Sequence, residues 1–320
     1  MQLITGGMGF VGLHTARALL DQGESCVLAT TQTGTLREPH FVKDDVGTRV
    51  FIERLDVGEL SALLSLRDRH KITGIVHLSG SSPLGTSEHM RKNATQLLNV
   101  LQAAQEWKLR RISIASTIGV YAGASIGPEP LSEDLPLPMT PFHPIPTFKK
   151  ISELLAPTVG GAAGFEVVHF RFGAWGPLAH HPPSPMNMQC QLVHAAVQGK
   201  TLDFTQPCSR AFAEDGADIS YVKDCGRAIA LLQLADRLNH RTYNIGFGHA
   251  IRNQDFADAI KRVIPSATIE LPKGFDPRGP GRVISLDITR IRQDTGFEPL
   301  YDAERGIADY AAWLRAGHKA

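Results

Sequence analysis

The sequence predicts an α/β fold with a doubly wound parallel sheet, followed by a smaller C-terminal lobe of the α+β type. In the first half of the chain, short β-rich runs alternate with stretches of helical periodicity, a pattern typical of βαβ units and parallel sheets. Beyond about residue 176 this alternation becomes irregular. With 320 residues, 42% of them apolar, the chain is long enough to bury one large core or two unequal ones.

The elements of the first half follow one another in a regular order. Strands are predicted at QLIT, SCVLAT, RVFIERLD, ITGIVHLSG, RRISIAST and FEVVHFRFG. Helices are predicted at GFVGLHTARALLDQG, LSALLSLRDRH, ATQLLNVLQAAQEW and FKKISELL, and in the third of these Leu97, Leu101 and Ala104 recur at helical spacing. Proline and glycine dominate residues 122–147, so we expect a long loop there, and such loops often carry function.

A glycine-rich turn, TGGMGFVG, joins the first strand to the first helix and places Gly6, Gly9 and Gly12 at GxxGxxG spacing. Glycine permits positive φ and lets the backbone approach a pyrophosphate closely, while the helix N-terminus offers free N–H groups and a partial positive charge. Because the turn lies between a strand and a helix, it predicts a dinucleotide site of the Rossmann type. The expected binding residues include Phe10 and Val11, which lie between the second and third glycines.

The end of the second strand bears on the choice of dinucleotide. A carboxylate at this place normally binds the adenosine ribose hydroxyls of NAD. The position falls near Thr30, and the following residues supply hydroxyls and an amide but no acid. The sequence therefore slightly favours NADP over NAD, with Arg37 as a candidate ligand for the 2′-phosphate.

The second half of the chain carries helical patterns near 187–198, 222–236, 253–263 and 303–315. We therefore predict a dinucleotide-binding domain over 1–175 and a substrate-binding lobe over 176–320. Residues 215–240 are expected to pack back on the first domain.

Charge and composition exclude several classes of partner. The formal net charge is +1, so no basic field attracts nucleic acid or an anionic membrane, and a small-molecule substrate is expected. The four cysteines form no CxxC pair and have no histidine at metal-ligand spacing, so we expect neither a metal site nor a disulfide framework. No apolar run approaches the roughly 20 residues of a membrane helix, and a cytoplasmic location is expected.

Further motifs follow the glycine turn in a fixed order. They are LDV at 55–57, VHLSG at 76–80, KNATQLLNVLQAA at 92–104, ASTIGVYAG at 115–123, RFGAWGP at 171–177, DISYVKDCGRAI at 218–229 and YNIG at 243–246. In this order they resemble the motifs of the extended short-chain dehydrogenase/reductase family, which contains the NDP-sugar epimerases and dehydratases. The resemblance covers nearly the whole chain and implies cofactor contacts from Asp56, Val57, Leu78, Ser79, Gly80, Asn93 and Lys149.

The same resemblance implies an incomplete catalytic set. Thr117 stands at the position of the catalytic serine or threonine, and Lys149, with Glu153 four residues later, at that of the catalytic lysine. The family's tyrosine lies four residues before this lysine, where the chain has Ile145. The chain is therefore identified as an atypical member that lacks the phenol. Since losing a general acid typically removes about two to four powers of ten in rate, another proton donor is required.

Several side chains are candidates for the missing proton donor or for contact with substrate. His143 lies in the same loop as Ile145, and Tyr121 lies on the same strand end as Thr117, so each could carry the proton. His77 and His169 fall within predicted strands and are expected in the core. The expected substrate contacts are Ser81, Ser82, Thr117, Ile145 and Trp175.

Three functions remain open. The first is an NAD(P)-dependent oxidoreductase or epimerase-like enzyme that acts on a carbonyl or hydroxyl group of a small molecule, with a proton donor other than tyrosine. The second is a redox-neutral lyase, cyclase or isomerase on the same scaffold, and the third is a non-catalytic NAD(P)-binding protein. The resemblance also implies a homodimer formed through the helices that follow Gly85 and Lys149.

Overall fold

The computed structural model describes residues 1–33, 38–80, 84–125, 127–141, 143–178, 188–201, 212–279 and 281–318. Its strands are β1 Gln2–Thr5, β2 Cys26–Thr30, β3 Val50–Arg54, β4 Gly74–His77, β5 Arg111–Ala115, β6 Glu166–Phe172, β7 Ala174–Trp175, β8 Gly216–Ala217, β9 Ser220–Tyr221, β10 Thr242–Ile245 and β11 Ile251–Arg252. Its α-helices are α1 Phe10–Asp21, α2 Leu60–Leu64, α3 Ser87–Glu106, α4 Pro144–Ala163, α5 Met188–Gln198, α6 Val222–Leu234, α7 Asn253–Val263, α8 Thr289–Thr295 and α9 Ala303–Arg315.

Seven parallel strands form the central sheet, in the order β10-β6-β5-β4-β1-β2-β3. The chain starts in the middle at β1, winds outward through β2 and β3, and then returns to build the other half from β4. The direction of winding reverses between β1 and β4, and ligands of such sheets bind at the carboxyl ends of the strands at this point. The structure confirms the α/β, Rossmann-type fold.

Helix α4 begins earlier than the sequence analysis placed it. The expected loop over 122–147 and helix over 148–155 were wrong in this respect, because the helix runs from Pro144 to Ala163. Pro144 occupies the first position of the helix, where the backbone N–H has no intrahelical partner, so proline is tolerated there. As a result Ile145 lies in the first turn of a helix.

Helix α3 also begins earlier, at Ser87 rather than near residue 94. The Thr86 side chain caps it by accepting a hydrogen bond from the backbone N–H of His89. The first two turns, SEHMRKN, are polar and lack the apolar periodicity that revealed the rest of the helix. These first two turns of α3 carry residues that line the candidate site.

The second half of the chain contributes both to the central sheet and to a separate core. Strand β10 pairs with β6 as a seventh strand that the sequence analysis did not predict, and α6 packs against α1. Helices α5, α7 and α9 enclose another apolar cluster that includes Trp175, Tyr221 and Phe256. The boundaries drawn at 175 and at 215–240 stay a prediction.

Three expected absences can be compared with the described residues. Within them, no helix is long and apolar enough to cross a membrane, and no group of three or more histidine, cysteine or acidic residues could hold a metal ion. Cys26, Cys190 and Cys225 are buried and form no disulfide among the described residues. Cys208 lies outside the described residues.

Candidate active site

The turn between β1 and α1 is packed so closely that only glycine fits at two positions. A Cβ on Gly12 would lie 2.4 Å from the carbonyl oxygen of Gly6 and 2.7 Å from that of Gly7. Gly6 has φ of +68°, in the left-handed region that favours glycine. Gly9 is the N-cap of α1 and has no side chain to occupy the first N–H groups of the helix. These N–H groups are available to an anion.

A cavity of about 440 Å³ opens at this turn. Of the residues predicted to bind cofactor, those that line it are Gly6, Gly9, Thr30, Val57, Ser79, Gly80 and Asn93. The lining also includes Gln32 from the loop after β2, and His89, Lys92 and Gln96 from α3, which the sequence analysis missed. His89 and Lys92 belong to the polar turns of α3 that carry no apolar periodicity, so the sequence contained little signal for them.

Asp56, Leu78, Phe10 and Val11, which the sequence also predicts as cofactor contacts, do not line this cavity. Asp56 accepts hydrogen bonds from the Gly58 N–H (2.9 Å) and from Gln96 Nε2 (3.0 Å), and its other oxygen lies 3.3 Å from Lys92 Nζ. Burial raises the pKa of Asp56, but these contacts together outweigh burial and hold the pKa below its usual value. The Leu78 N–H donates to Thr5 Oγ1. Phe10 and Val11 form the first turn of α1.

Lys149 lies on α4 and is only 4% exposed. Burial lowers the pKa of Lys149 to about 8, and the nearby Glu153 carboxylate opposes this effect. Among the described residues, none accepts a hydrogen bond from the Lys149 ammonium. Ile145 and Glu153 lie one turn before and one turn after it, on the same face of the helix. A buried ammonium without a partner fits a site that receives a polar ligand.

Glu153 belongs to a buried polar network that joins α4 to the sheet. It accepts hydrogen bonds from Ser116 Oγ (2.5 Å) and from Arg171, whose Nη2 lies 2.6 Å from Glu153 Oε2. Arg171 Nη1 in turn donates to the hydroxyl of Tyr121 (2.8 Å), and that hydroxyl donates to Asn244 Oδ1 (2.8 Å). We call these five residues the buried network. Burial raises the pKa of the Tyr121 phenol, although Arg171 opposes the shift.

Thr117 and His143 both cap helical turns. Thr117 Oγ1 accepts from the Gly119 N–H (3.1 Å) at the start of the 3₁₀ turn Ile118–Tyr121, so its hydroxyl hydrogen stays free to donate. His143 Nδ1 accepts from the Ile145 N–H (3.3 Å) at the N-cap of α4.

The other sequence candidates are distributed over the molecule. Trp175 is 1% exposed and packs against Tyr221 and Phe256, in the core of the second half of the chain. Ser81, Ser82 and Arg37 lie outside the described residues. His77 and His169 are buried, as expected, and burial lowers the pKa of His77 to about 3 and that of His169 to about 4.

A second cavity, of about 780 Å³, is lined by residues of the turn that follows Thr117. Its lining combines Ile118 and Gly119 from that turn with Asp218, Arg278 and Leu286 from the second half of the chain. Asp218 ties the wall together by accepting from the N–H groups of Phe247 (2.6 Å), Gly248 (2.9 Å) and Leu286 (3.2 Å). Burial raises the pKa of Asp218 to about 6, against the effect of these three donors.

The fold and both cavities can be compared with known proteins. The model of the NAD dependent epimerase/dehydratase family matches residues 2–246. The chain belongs to this family.

Individual members of the NAD-dependent epimerase/dehydratase family match along the whole chain. A UDP-glucose 4-epimerase of Azospirillum brasilense is 26% identical over 349 residues, covering 98% of this chain and 92% of the relative. A dTDP-glucose 4,6-dehydratase of Actinoplanes is 25% identical, covering 98% and 97%. The structure of a UDP-glucose 4-epimerase of Stenotrophomonas maltophila, with bound NAD and formylated UDP-arabinopyranose, has a TM-score of 0.81, 19% identity and coverage of 99% and 98%.

These matches confirm the resemblance read from the motifs, and they support an epimerase-like enzyme of the extended short-chain dehydrogenase/reductase type. Within this epimerase/dehydratase member the site divides into two ends. We call the glycine turn and its cavity the cofactor end. We call the first two turns of α4, together with Thr117, the proton end. The cofactor end offers free helix N–H groups, while the proton end offers one hydroxyl and one buried lysine.

Proposed function

We propose that the protein is a nicotinamide-dinucleotide-dependent epimerase or oxidoreductase that acts on a hydroxyl or carbonyl group of a nucleoside-diphosphate sugar. One observation carries the proposal. At the carboxyl side of the central sheet, a turn that only glycine fits occurs together with a buried lysine ammonium that has no partner among the described residues. A tight turn alone would be explained by packing, but the lysine charge is buried at a cost that a bound ligand would offset.

The residues of this chain suit such a dinucleotide. The N–H groups of the turn and of α1 would hold the pyrophosphate, Asp56 and Val57 the adenine, and Lys149 the hydroxyls of the nicotinamide ribose. The bound dinucleotide supplies a hydride acceptor, and the protein supplies orientation and exclusion of water. Thr117 would donate its free hydroxyl hydrogen to the reacting oxygen of the substrate.

We propose NADP as the slightly preferred dinucleotide, on the basis of charge. Of the described residues that line the cofactor cavity, two carry basic side chains, His89 and Lys92, and none is acidic. A 2′-phosphate is tolerated by such a lining, whereas a carboxylate beside Thr30 would repel it. The structure of the Stenotrophomonas epimerase contains NAD, which favours NAD over NADP. If charge decides the preference, Thr30→Asp should raise the dissociation constant for NADPH about tenfold more than that for NADH.

The proposed substrate class rests on the second cavity and on the relatives. A cavity of about 780 Å³ has room for a sugar with its nucleotide. Arg278 lines it and is 61% exposed in its side chain, paired with Asp276 at 2.7 Å, so its guanidinium could turn to a diphosphate. The Azospirillum relative is a UDP-glucose 4-epimerase and the Actinoplanes relative is a dTDP-glucose 4,6-dehydratase, which supports a nucleoside-diphosphate sugar.

We further propose a homodimer through α3 and α4. Leu98 on α3 and Ile151 and Leu154 on α4 are exposed at 47%, 48% and 66%. Ile151 and Leu154 lie three residues apart on one face of α4, and α4 packs beside α3. Changing Leu154→Arg should convert the dimer to monomer in sedimentation velocity, while Leu300→Arg, at another exposed leucine, should leave the assembly unchanged.

The central experiment separates the three functions left open by the sequence. Purified protein is titrated with NADH and NADPH by fluorescence, and fresh protein is then incubated with NAD⁺ or NADP⁺ and UDP-glucose or dTDP-glucose, because oxidation of a sugar hydroxyl needs the oxidised dinucleotide. Products are identified by mass spectrometry and chromatography while nicotinamide absorbance is followed. Net absorbance change with a new product supports an oxidoreductase, and an isomeric sugar without absorbance change supports an epimerase.

Three outcomes would contradict the proposal. Failure of both dinucleotides to bind would remove the cofactor from the function. Tight binding with no product from either sugar nucleotide would favour a non-catalytic binding protein or a lyase or cyclase with another substrate. A new product that is neither oxidised nor epimerised would favour the redox-neutral alternative directly.

A further inference from the structure

The surroundings of Lys149 leave its charge without compensation. The carboxylate nearest along the helix, Glu153, is held by Arg171 at 2.6 Å and by Ser116 at 2.5 Å. Because these two partners already occupy both carboxylate oxygens, Glu153 is a poor counterion for the lysine. A buried ammonium in this position favours loss of its proton more than an exposed one does.

The strands beneath Lys149 present uncharged imidazoles. Thr5 Oγ1 accepts from the Leu78 N–H (3.2 Å) and from Ser79 Oγ (3.1 Å), so its own hydrogen is directed to His77 Nδ1 (2.8 Å). His77 is therefore neutral, with its remaining proton on Nε2. On β6 His169 is buried beside Ser152, and the charge of Lys149 helps to keep both imidazoles uncharged.

One of these imidazoles lies near the cofactor cavity. His77 Nε2 lies 4.0 Å from the position that a Cβ on Gly80 would take, and Gly80 lines the cofactor cavity. Helix α3 contributes the uncharged Asn93 and Gln96 to the same lining, and the charge of Lys92 on that helix is paired with Asp56. Lys149 is close enough to His77 and His169 for its charge to act on both imidazoles, and the carboxylates of Asp56 and Glu153 already have cations.

The other candidate proton donors are engaged elsewhere. The hydroxyl of Tyr121 donates to Asn244 and accepts from Arg171 inside the buried network. His143 uses Nδ1 to cap α4. Ile145 places an apolar side chain one turn before Lys149, and this side chain has no proton to transfer.

We propose that Lys149 is itself the acid-base group of the reaction, exchanging the proton of the reacting hydroxyl in place of a phenol. This inference rests on the proposed function. In the oxidising direction the substrate O–H bond breaks and its proton passes to the neutral amine of Lys149, which becomes an ammonium. The hydrogen on carbon leaves with its electron pair to the oxidised nicotinamide dinucleotide, and a carbonyl group remains. In the reducing direction the ammonium returns the proton to the oxygen.

The test compares Lys149→Arg with wild type in three measurements. Arginine keeps the cation but cannot be deprotonated. We expect dinucleotide affinity for NADH and NADPH to stay within about threefold, while turnover of UDP-glucose or dTDP-glucose falls by about 10²–10⁴-fold. In wild type without ligand, the Cε resonance of Lys149 in ¹³C-lysine-labelled protein should titrate with a midpoint within about one unit of 8, against about 10.4 for an ordinary lysine.

Two further variants make the result specific. Lys150→Arg is the matched control, one residue along the same helix with its ammonium on the carbonyl oxygen of Pro138, and it should keep wild-type turnover. Adding Ile145→Tyr to Lys149→Arg places a phenol one turn before a fixed cation, which lowers its pKa, and should restore turnover at least about tenfold. That rescue would not follow if the lysine had only a structural role.

The possible results distinguish failure of the proposed function from failure of the acid-base role of Lys149. If neither dinucleotide binds wild type, the proposed function fails. If binding and turnover both persist in Lys149→Arg, the proposed function stands and the acid-base role of Lys149 is wrong. A titration midpoint above about 10 would also overturn the role, whatever the turnover, because the amine would then stay charged at neutral pH.

Discussion

The two ends of the site are built in different ways. The cofactor end depends on residues within one short turn, where a Cβ on Gly12 would lie 2.4 Å from the Gly6 carbonyl oxygen. The proton end is supported by the buried network, whose side chains come from α4, from β6, from β10 and from the segment after β5, far apart in the sequence. Ile145 in place of a tyrosine therefore removes one proton donor but leaves the buried network around the site intact.

The largest expected effect on stability comes from removing the Arg171–Glu153 ion pair of the buried network. Arg171→Met leaves the buried Glu153 carboxylate without its cation, and we expect the free energy of unfolding in urea to fall by about 3–5 kcal/mol. Arg262→Met is the control, because Arg262 pairs with Glu304 at the same 2.6 Å but both side chains are more than half exposed. That change should cost at most about 1 kcal/mol. Equal losses in the two variants would mean that burial does not distinguish the pairs.

At the cofactor end the expected effect is on binding. Gly12→Ala would force the turn away from the first helix, and we expect the dissociation constant for NADH or NADPH to rise at least about 100-fold in fluorescence titrations. Gly161→Ala on α4 is the matched control, since no atom lies within 4 Å of its added Cβ. Its affinity should be unchanged. Normal dinucleotide binding by Gly12→Ala would show that the turn is not the pyrophosphate site.

The smallest effect on turnover is expected from Tyr121, which distinguishes a structural phenol from a catalytic one. Tyr121→Phe removes hydrogen bonds to Arg171 and Asn244, so unfolding should become easier by about 1–3 kcal/mol while turnover stays within about threefold. Thermal unfolding and steady-state kinetics measure the two quantities. A turnover loss of 100-fold or more at unchanged stability would make Tyr121 the proton donor and would contradict the assignment to Lys149.

Local sequence patterns predicted part of the site. Strict spacing of Gly6, Gly9 and Gly12 between a strand and a helix predicted the turn, and the turn is where the structure forms the first cavity. The polar first turns of α3 had no apolar periodicity, so His89 and Lys92 were not recognised as lining residues. Proline at the start of α4 was interpreted as part of a loop, although the first helical position tolerates it.

The sequence by itself determined the α/β alternation, the glycine turn, and the presence of a lysine without a tyrosine four residues before it. Only the tertiary structure decided that β10 joins the central sheet beside β6, that Tyr121 is committed to Arg171 and Asn244, and that Lys149 has no partner among the described residues. The physical reason is that steric requirements of a tight turn act between neighbouring residues, whereas burial and pairing of charge depend on segments brought together by folding.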